Sequence, residues 1–252
     1  MSDDSDLPRR LADAIATRTA ISPDADDLPV ERAYELQDEL IGLLGKRPVA
    51  AKLGLTSVAK QQQMNVAEPA YGWLLEGSQV EVGTELPCGE LIQPRCEPEI
   101  AFLVGRDLEG PDVSASEVLA ATDAVMPAID VLDSRYAGYS FTLPAVVADN
   151  ISSARYALGR PTPVTGLDLR LLGCLLEVDG RLVATAAGAA VLDHPAAAVA
   201  WFVRSLAHRG RRLEAGTVVL SGALTAAVPV RPGSVVRVTV DRLGSVELRC
   251  GP

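Results

Sequence analysis

Two periodicities divide the chain. Over residues 7–19, Leu7, Leu11, Ala14 and Ile15 recur at helical spacing with charged residues between them. Over residues 30–44, Ala33, Leu36, Leu40 and Leu43 do the same and stop at Gly45, a helix-ending residue. The spacing predicts two amphipathic helices parted by the polar break at 22–27. From Val49 onward the pattern shortens to strand-length apolar runs. The run Ile100–Val104, closed by Gly105, predicts a buried strand, and 126–133 a second one. Between them, 114–125 reads as a helix opened by a Ser114/Glu117 capping box. Residues 58–64 read as a short helix, 68–74 as a loop entering a strand, and 149–153 as a turn before a strand at 155–159. Further strands are predicted at 171–178 and 181–187 around Asp179-Gly180, and at 217–222, 234–240 and 245–249. Between these, 195–208 is a helix with Pro195 in its first turn and Gly210 beyond its end. Strands at this density argue an α+β fold with a mixed β-roll or barrel-like core. Residues 1–48 form a helical arm in this reading, and 49–252 one β-rich catalytic unit.

Composition removes several classes of function. The chain has 252 residues, 48% of them hydrophobic, and a net charge of −10. An acidic surface with scattered Lys and Arg offers no footprint for nucleic acid or anionic lipid. No apolar stretch reaches the roughly eighteen residues that a membrane span needs. The opening Met1–Asp6 is acidic and lacks the apolar core of a secretory signal, so a cytoplasmic protein is expected. Cys88, Cys96, Cys174 and Cys250 are widely spaced and fit reduced thiols. With only His194 and His208 present, a His-rich zinc site or a Ser-His-Asp triad has little to draw on. There is no G-x-G-x-x-G or phosphate-binding loop.

The candidate chemistry lies in the strand pair. Alternation puts Glu97 and Glu99 on one face of the first strand, with Cys96 and Pro98 on the other. The second strand carries Asp130 and Asp133. Carboxylates on buried strands require positive partners, and hard oxygen donors from two strands suit octahedral Mg²⁺ or Mn²⁺. Taken alone, Glu-x-Glu would serve equally as a solvated acidic edge. Lys52 stands within the apolar run 50–55, either snorkelling to the surface or held to meet a negative charge.

An ordered set of motifs goes further. Lys52-Leu53-Gly54-Leu55-Thr56-Ser57 is followed by 61–66 with Pro69 and Gly72, then Gln93-Pro94-Arg95 before Glu97-Pro98-Glu99-Ile100-Ala101-Phe102. Asp133-Ser134-Arg135, Ala148-Asp149-Asn150 and Leu220-Ser221-Gly222 with Leu224-Thr225 complete the set. Together they resemble the hydratase/decarboxylase branch of the fumarylacetoacetate hydrolase superfamily. The resemblance implies that family's β-roll fold and a Mg²⁺ or Mn²⁺ held by Glu97, Glu99 and Asp130. The family pattern has Glu at the third position; the shorter Asp130 would bind through a water or draw its strand inward. Lys52 is implied as the catalytic group beside the substrate, with Ser152 and Thr225 as further substrate contacts; Arg135 joins Lys52 as a candidate cation for the second carboxylate of a dicarboxylate substrate. The implied substrate is a small 2-oxo acid, and the implied reaction is decarboxylation of a 2-oxo-3-hexenedioate (4-oxalocrotonate) through a metal-bound dienolate. The alternative is hydration of 2-hydroxypenta-2,4-dienoate. Hydratases of the branch carry Asp where this chain has Ala70, which cannot move a proton, and this favours the decarboxylase. An acylpyruvate hydrolase would require an N-terminal His–Glu pair, and no His precedes His194. A diverged member acting on another 2-oxo acid is the remaining alternative. A homo-oligomer, with a pathway hydratase as a further partner, is expected.

Overall fold

The computed structural model describes residues 4–22, 28–57, 61 and 68–252. The helix read at 58–64 lies outside these, apart from Gln61, as does most of the 22–27 break. Helix α1 (Leu7–Thr17) opens on Pro8 and ends on Arg18 in the left-handed conformation. Helix α2 (Val30–Leu44) ends on Gly45 at φ 64°. Their buried residues, Leu7, Leu11, Ala33, Leu36 and Leu40, pack with Tyr136, Ile151 and helix α4 (Leu143–Ala148). The arm is therefore fastened onto the loops around the candidate site.

The large sheet runs in the order β2 (Ala70–Leu75), β1 (Pro48–Gly54), β10 (Val218–Leu220), β4 (Arg95–Val104), β5 (Thr122–Leu132) and β6 (Ser153–Leu158), curled into a half-barrel. Two short strands attach to it: β7 (Thr162–Pro163) on β5 and β11 (Val228–Pro229) on β4. A second sheet takes the order β3 (Glu85–Pro87), β13 (Gly244–Gly251), β12 (Val235–Val240), β8 (Gly173–Val178), β9 (Arg181–Ala187). One face of the large sheet, with Ile100, Phe102, Ile129 and Val131, packs into the main core with Val236, Val238 and Leu248 of the second sheet and Phe202 of helix α5 (Pro195–His208). The opposite face carries a smaller apolar cluster that includes Ala101, Ala128, Tyr156 and Leu220. Because strand side chains alternate, the face that shows Ala101 also shows Glu97 and Glu99.

The reading of 114–125 as one helix requires correction. The capping box forms, with Glu117 N donating to Ser114 Oγ at 3.3 Å and Ser114 N donating to Glu117 at 2.8 Å, but α3 (Ala115–Ala121) stops after seven residues. Thr122 turns extended and its hydroxyl bonds back to Val118 O at 2.7 Å. The chain then enters β5, whose Ala124 and Val125 pair with Leu103 and Phe102. Cross-strand pairing with ten-residue β4 overrides local helical spacing. Strands β3, β7 and β11 have only two or three residues each, too few for a period to register in the sequence.

Candidate metal centre

The centre arises where β4 changes neighbours. Strand β10 pairs with β4 from Ala101 to Leu103, and β11 rejoins it at Cys96 and Arg95. Between these, β4 has no strand on that side, and Pro98, which lacks an N–H, is tolerated in the middle of a sheet. The loop after β10 fills the gap. Ser221 N donates to Ile100 O at 3.1 Å, Leu224 N to Pro98 O at 2.9 Å, and Gly222 N to Glu99 Oε2 at 2.5 Å. Gly222 sits at φ 112°, and a Cβ there would lie 2.0 Å from Thr56 Oγ1, so only glycine brings this N–H onto Glu99.

On the other side β5 places Asp130 directly opposite Glu97. Residues facing each other across an antiparallel pair share a face, so the three carboxylates converge. Each of Glu97, Glu99 and Asp130 offers an oxygen within 4.8 Å of the others, and all three residues are buried. They are the one such cluster among the described residues. Burial and the neighbouring Asp130 push the Glu99 carboxyl well above the usual carboxylate range, against the pull of Lys52 and the Gly222 N–H. Glu99 Oε1 is buried with no hydrogen-bond partner among the described residues. An orphaned carboxylate oxygen beside two more carboxylates fits a divalent cation, which would satisfy all three. Asp130 reaches the cluster with β5 in regular register with β4, while the pairing with β6 shifts register between Val131 and Leu132.

Lys52 lies on β1, 1% exposed, with Nζ 2.5 Å from Asp130 Oδ2 and 3.2 Å from Ile151 O. The Ile151 carbonyl is presented by an unusual turn, in which Asn150, Ile151 and Ser152 all have φ between 50° and 52°. For a β-branched residue this is an outlier, and such strain persists only where the surroundings over-determine it. Here they do. The Asn150 amide is stapled to β2, accepting from Trp73 N at 2.7 Å and donating to Trp73 O at 2.8 Å. Gly72 is required beneath it, since a Cβ would lie 2.6 Å from Asn150 O. Asp149 and Arg135 hold the turn from the other side.

Arg135, the other candidate cation for the substrate, is 3% exposed and hydrogen-bonded through each side-chain nitrogen. Its Nε donates to Asp149 Oδ1, Nη1 to Asp133 O at 2.6 Å and Ser153 O at 3.0 Å, and Nη2 to Asp149 O. Burial pushes Asp149 up to about 6 while Arg135 pulls the other way. Ser152 lines the same cavity as Lys52, and its hydroxyl donates to Asp149 Oδ2 at 3.3 Å. Thr225 is half-buried, donating to Ala226 O at 3.2 Å; its neighbours Ala226 and Ala227 line the cavity.

That cavity, about 290 Å³, is walled by Leu132, Phe141 and Val146 and carries Lys52, Glu97, Ser152 and Arg95. A larger cavity of about 670 Å³ lies between α2 and α5, but none of the three carboxylates lines it. Ala70 lines that larger cavity and belongs to the apolar cluster of the helical arm. Arg95 and Tyr139, both at the smaller cavity, and the Gly222 N–H are contributions that residue-by-residue reading missed. Only the Gln93-Pro94-Arg95 motif hinted at the first. His194 caps α5, its Nδ1 accepting from Ala196 N at 3.1 Å, and takes no part in this centre.

Comparison with known proteins agrees with the geometry. The model of the fumarylacetoacetate (FAA) hydrolase C-terminal family matches residues 49–250. A 4-oxalocrotonate decarboxylase of Pseudomonas sp. (strain CF600) is 42% identical over 91% of this chain and 88% of its own. A 2-keto-4-pentenoate hydratase of Paraburkholderia xenovorans (strain LB400) is 41% identical over 94% of this chain and 90% of its own. The solved 4-oxalocrotonate decarboxylase of Pseudomonas putida G7, complexed with magnesium and adipate, superposes with a TM-score of 0.92 at 39% identity, covering 97% of this chain and 95% of that one. The chain belongs to the fumarylacetoacetate (FAA) hydrolase C-terminal family.

Proposed function

We propose that the chain is a Mg²⁺- or Mn²⁺-dependent decarboxylase of a vinylogous 2-oxo dicarboxylate of the 4-oxalocrotonate type. The observation that carries this reading is the meeting of three buried carboxylates with a buried lysine at the head of a small, largely apolar cavity. Glu97, Glu99 and Asp130 would hold the ion, and when bound it supplies a Lewis acid for the 2-oxo group and its adjoining carboxylate. The rest falls to this chain's own groups. Loss of CO₂ breaks a carbon–carbon bond and sends its electron pair into the conjugated 2-oxo system; a proton then neutralises that system, at its oxygen or at carbon. Lys52 Nζ has one N–H on Asp130 and one on Ile151 O, which fixes the direction of its third. That N–H stabilises negative charge as it develops and passes the proton. The walls at Leu132, Phe141 and Val146 exclude water that would compete for the same carbon.

Hydration of a 2-hydroxydienoate is the second reading, favoured by the hydratase relative at 41% identity. Against it stands Ala70, where hydratases of the branch commonly carry Asp; it is buried in the apolar cluster of the arm and cannot move a proton. The test is to offer both substrates to the purified protein with Mg²⁺ or Mn²⁺. CO₂ release from 2-oxo-3-hexenedioate, with slow or no hydration of 2-hydroxypenta-2,4-dienoate, is expected; fast hydration without CO₂ release would reverse the assignment. In the same assay Glu97→Gln and Glu99→Gln lose turnover and no longer titrate Mn²⁺. A variant that binds Mn²⁺ like the parent removes that residue from the ligand set. The proposal includes a cytoplasmic homo-oligomer that associates with a pathway hydratase. Four free thiols fit a reducing compartment, and exposed Leu175, Leu182 and Val183 on β8 and β9 offer an apolar contact face.

A further inference from the structure

A dicarboxylate binds best where a cation meets its second carboxylate; of the cations singled out in the sequence, Arg135 does not line the cavity and Lys52 has one N–H left, for the reacting end. Arg135 spends four of its five N–H groups on Asp149 and three backbone carbonyls. Lys52 is committed to Asp130 and Ile151 O. Arg95 remains. It opens β4 on the face that carries Glu97 and Glu99, and its backbone is held on both sides, by Leu132 of β5 and Pro229 of β11. Its guanidinium lies over the Tyr139 ring, 3.9 Å from the centroid. Tyr139 is itself fixed, its hydroxyl donating to Gln93 O at 3.1 Å. The Gln93 amide ties down the same loop by donating to Ser134 O and Tyr136 O and accepting from Gly138 N. Stacking orients the guanidinium plane and leaves its edge N–H groups for a ligand. Among the described residues no carboxylate pairs with it, although it is half-buried in the cavity that Lys52 and Glu97 also line.

We propose that Arg95 is a specificity-determining residue that receives the distal carboxylate of the substrate. The assignment rests on the 2-oxo acid reading above. Two residue steps carry β4 from Arg95 to Glu97, about 6.6 Å, a span suited to a short dicarboxylate with its 2-oxo end at the carboxylate cluster. A planar fork binds a carboxylate through two parallel hydrogen bonds, which a 2-oxo monoacid cannot use. The contact exists before the carbon–carbon bond breaks and weakens as the carboxylate leaves as neutral CO₂. It therefore governs which acid binds more than how fast the bound acid reacts.

Calorimetric titration of the Mg²⁺-loaded protein with 2-oxoadipate and with 2-oxohexanoate tests this, since the two differ only in the distal carboxylate. The parent is expected to bind 2-oxoadipate roughly tenfold to a hundredfold more tightly, the scale of a charge-assisted pair. Arg95→Met abolishes that preference while leaving 2-oxohexanoate affinity unchanged, and Arg95→Lys keeps part of it. An Arg95→Met protein that retains the parent's preference overturns the assignment and leaves the 2-oxo acid reading standing. Loss of both ligands in Arg95→Met and Arg95→Lys alike makes Arg95 a structural residue and overturns it too. A parent that binds neither acid overturns the 2-oxo acid reading and the assignment with it.

Discussion

Arg135–Asp149 and Lys52–Asp130 are both cation–carboxylate pairs buried in the same half of the molecule, yet they are built in opposite ways. Arg135 spends its donors on Asp149 and on the carbonyls of Asp133, Asp149 and Ser153, and Asp149 further accepts from Arg135 N at 3.2 Å and Ser152 Oγ at 3.3 Å. Every charge there is matched locally. Around Lys52, among the described residues, three carboxylates crowd within 4.8 Å of one another beside one ammonium. A closed pair of the first kind fixes geometry; a cluster of like charges favours a further cation. The two are also mechanically linked. The closed pair holds the strained 150–152 turn, and that turn hands the Ile151 carbonyl to Lys52.

The largest effect should come from breaking the closed pair. Arg135→Met strands Asp149 at full burial and releases the carbonyls that Arg135 gathers. A loss of about 3–5 kcal/mol is expected, the usual cost of removing one partner from a buried pair. Urea or thermal unfolding measures it. A loss below about 1 kcal/mol would mean that the Asn150 staple alone holds the turn, and the contrast between the pairs would dissolve.

Opening the other pair should cost chemistry and spare the fold. Lys52→Met removes the ammonium to which the proposed reaction gives charge stabilisation and proton transfer, so kcat should fall at least roughly a hundredfold, the scale of a positioned proton-transfer group. Mn²⁺ titration survives, because lysine is not a ligand. Near-normal turnover in this variant would exclude Lys52 from the reaction.

What could be read from the sequence follows the range of the interactions. Both arm helices, the β4 strand and the shared face of Glu97 and Glu99 follow from local periodicity, which needs no partner. The α3/β5 boundary did not, because pairing with β4 set it. Asp130 as the third carboxylate came from the resemblance, whereas its position opposite Glu97 is a matter of sheet register, which no single strand encodes. The Gly222 N–H on Glu99, the Ile151 carbonyl on Lys52 and the stacking of Arg95 on Tyr139 are contacts across 44 to 123 positions of the chain. Arg135 illustrates the same limit from the other side. Its motif is legible, but its pairing with Asp149 depends on how the turn folds back.

The smallest effect belongs to Asp130→Glu, and it separates the two neighbours that Asp130 serves. The family's Glu at this position suggests that Asp falls short of the ion. The geometry argues otherwise, because the Asp130 carboxylate already lies within 4.8 Å of the oxygens of Glu97 and Glu99 while touching Lys52 at 2.5 Å. Asp130 is fully buried, so an added methylene has no open space beside it and must displace something. The Lys52 ammonium, at the end of a flexible stem, gives way more readily than two carboxylates anchored on the same strand. Mn²⁺ affinity should therefore change by no more than about fivefold, under 1 kcal/mol, while kcat falls further than affinity does. Titration and turnover on one preparation report both numbers. Tenfold tighter Mn²⁺ binding together with faster turnover would mean that the reach of Asp130 limits the site. Side-chain length, rather than the crowding of carboxylates, would then define the Lys52–Asp130 pair.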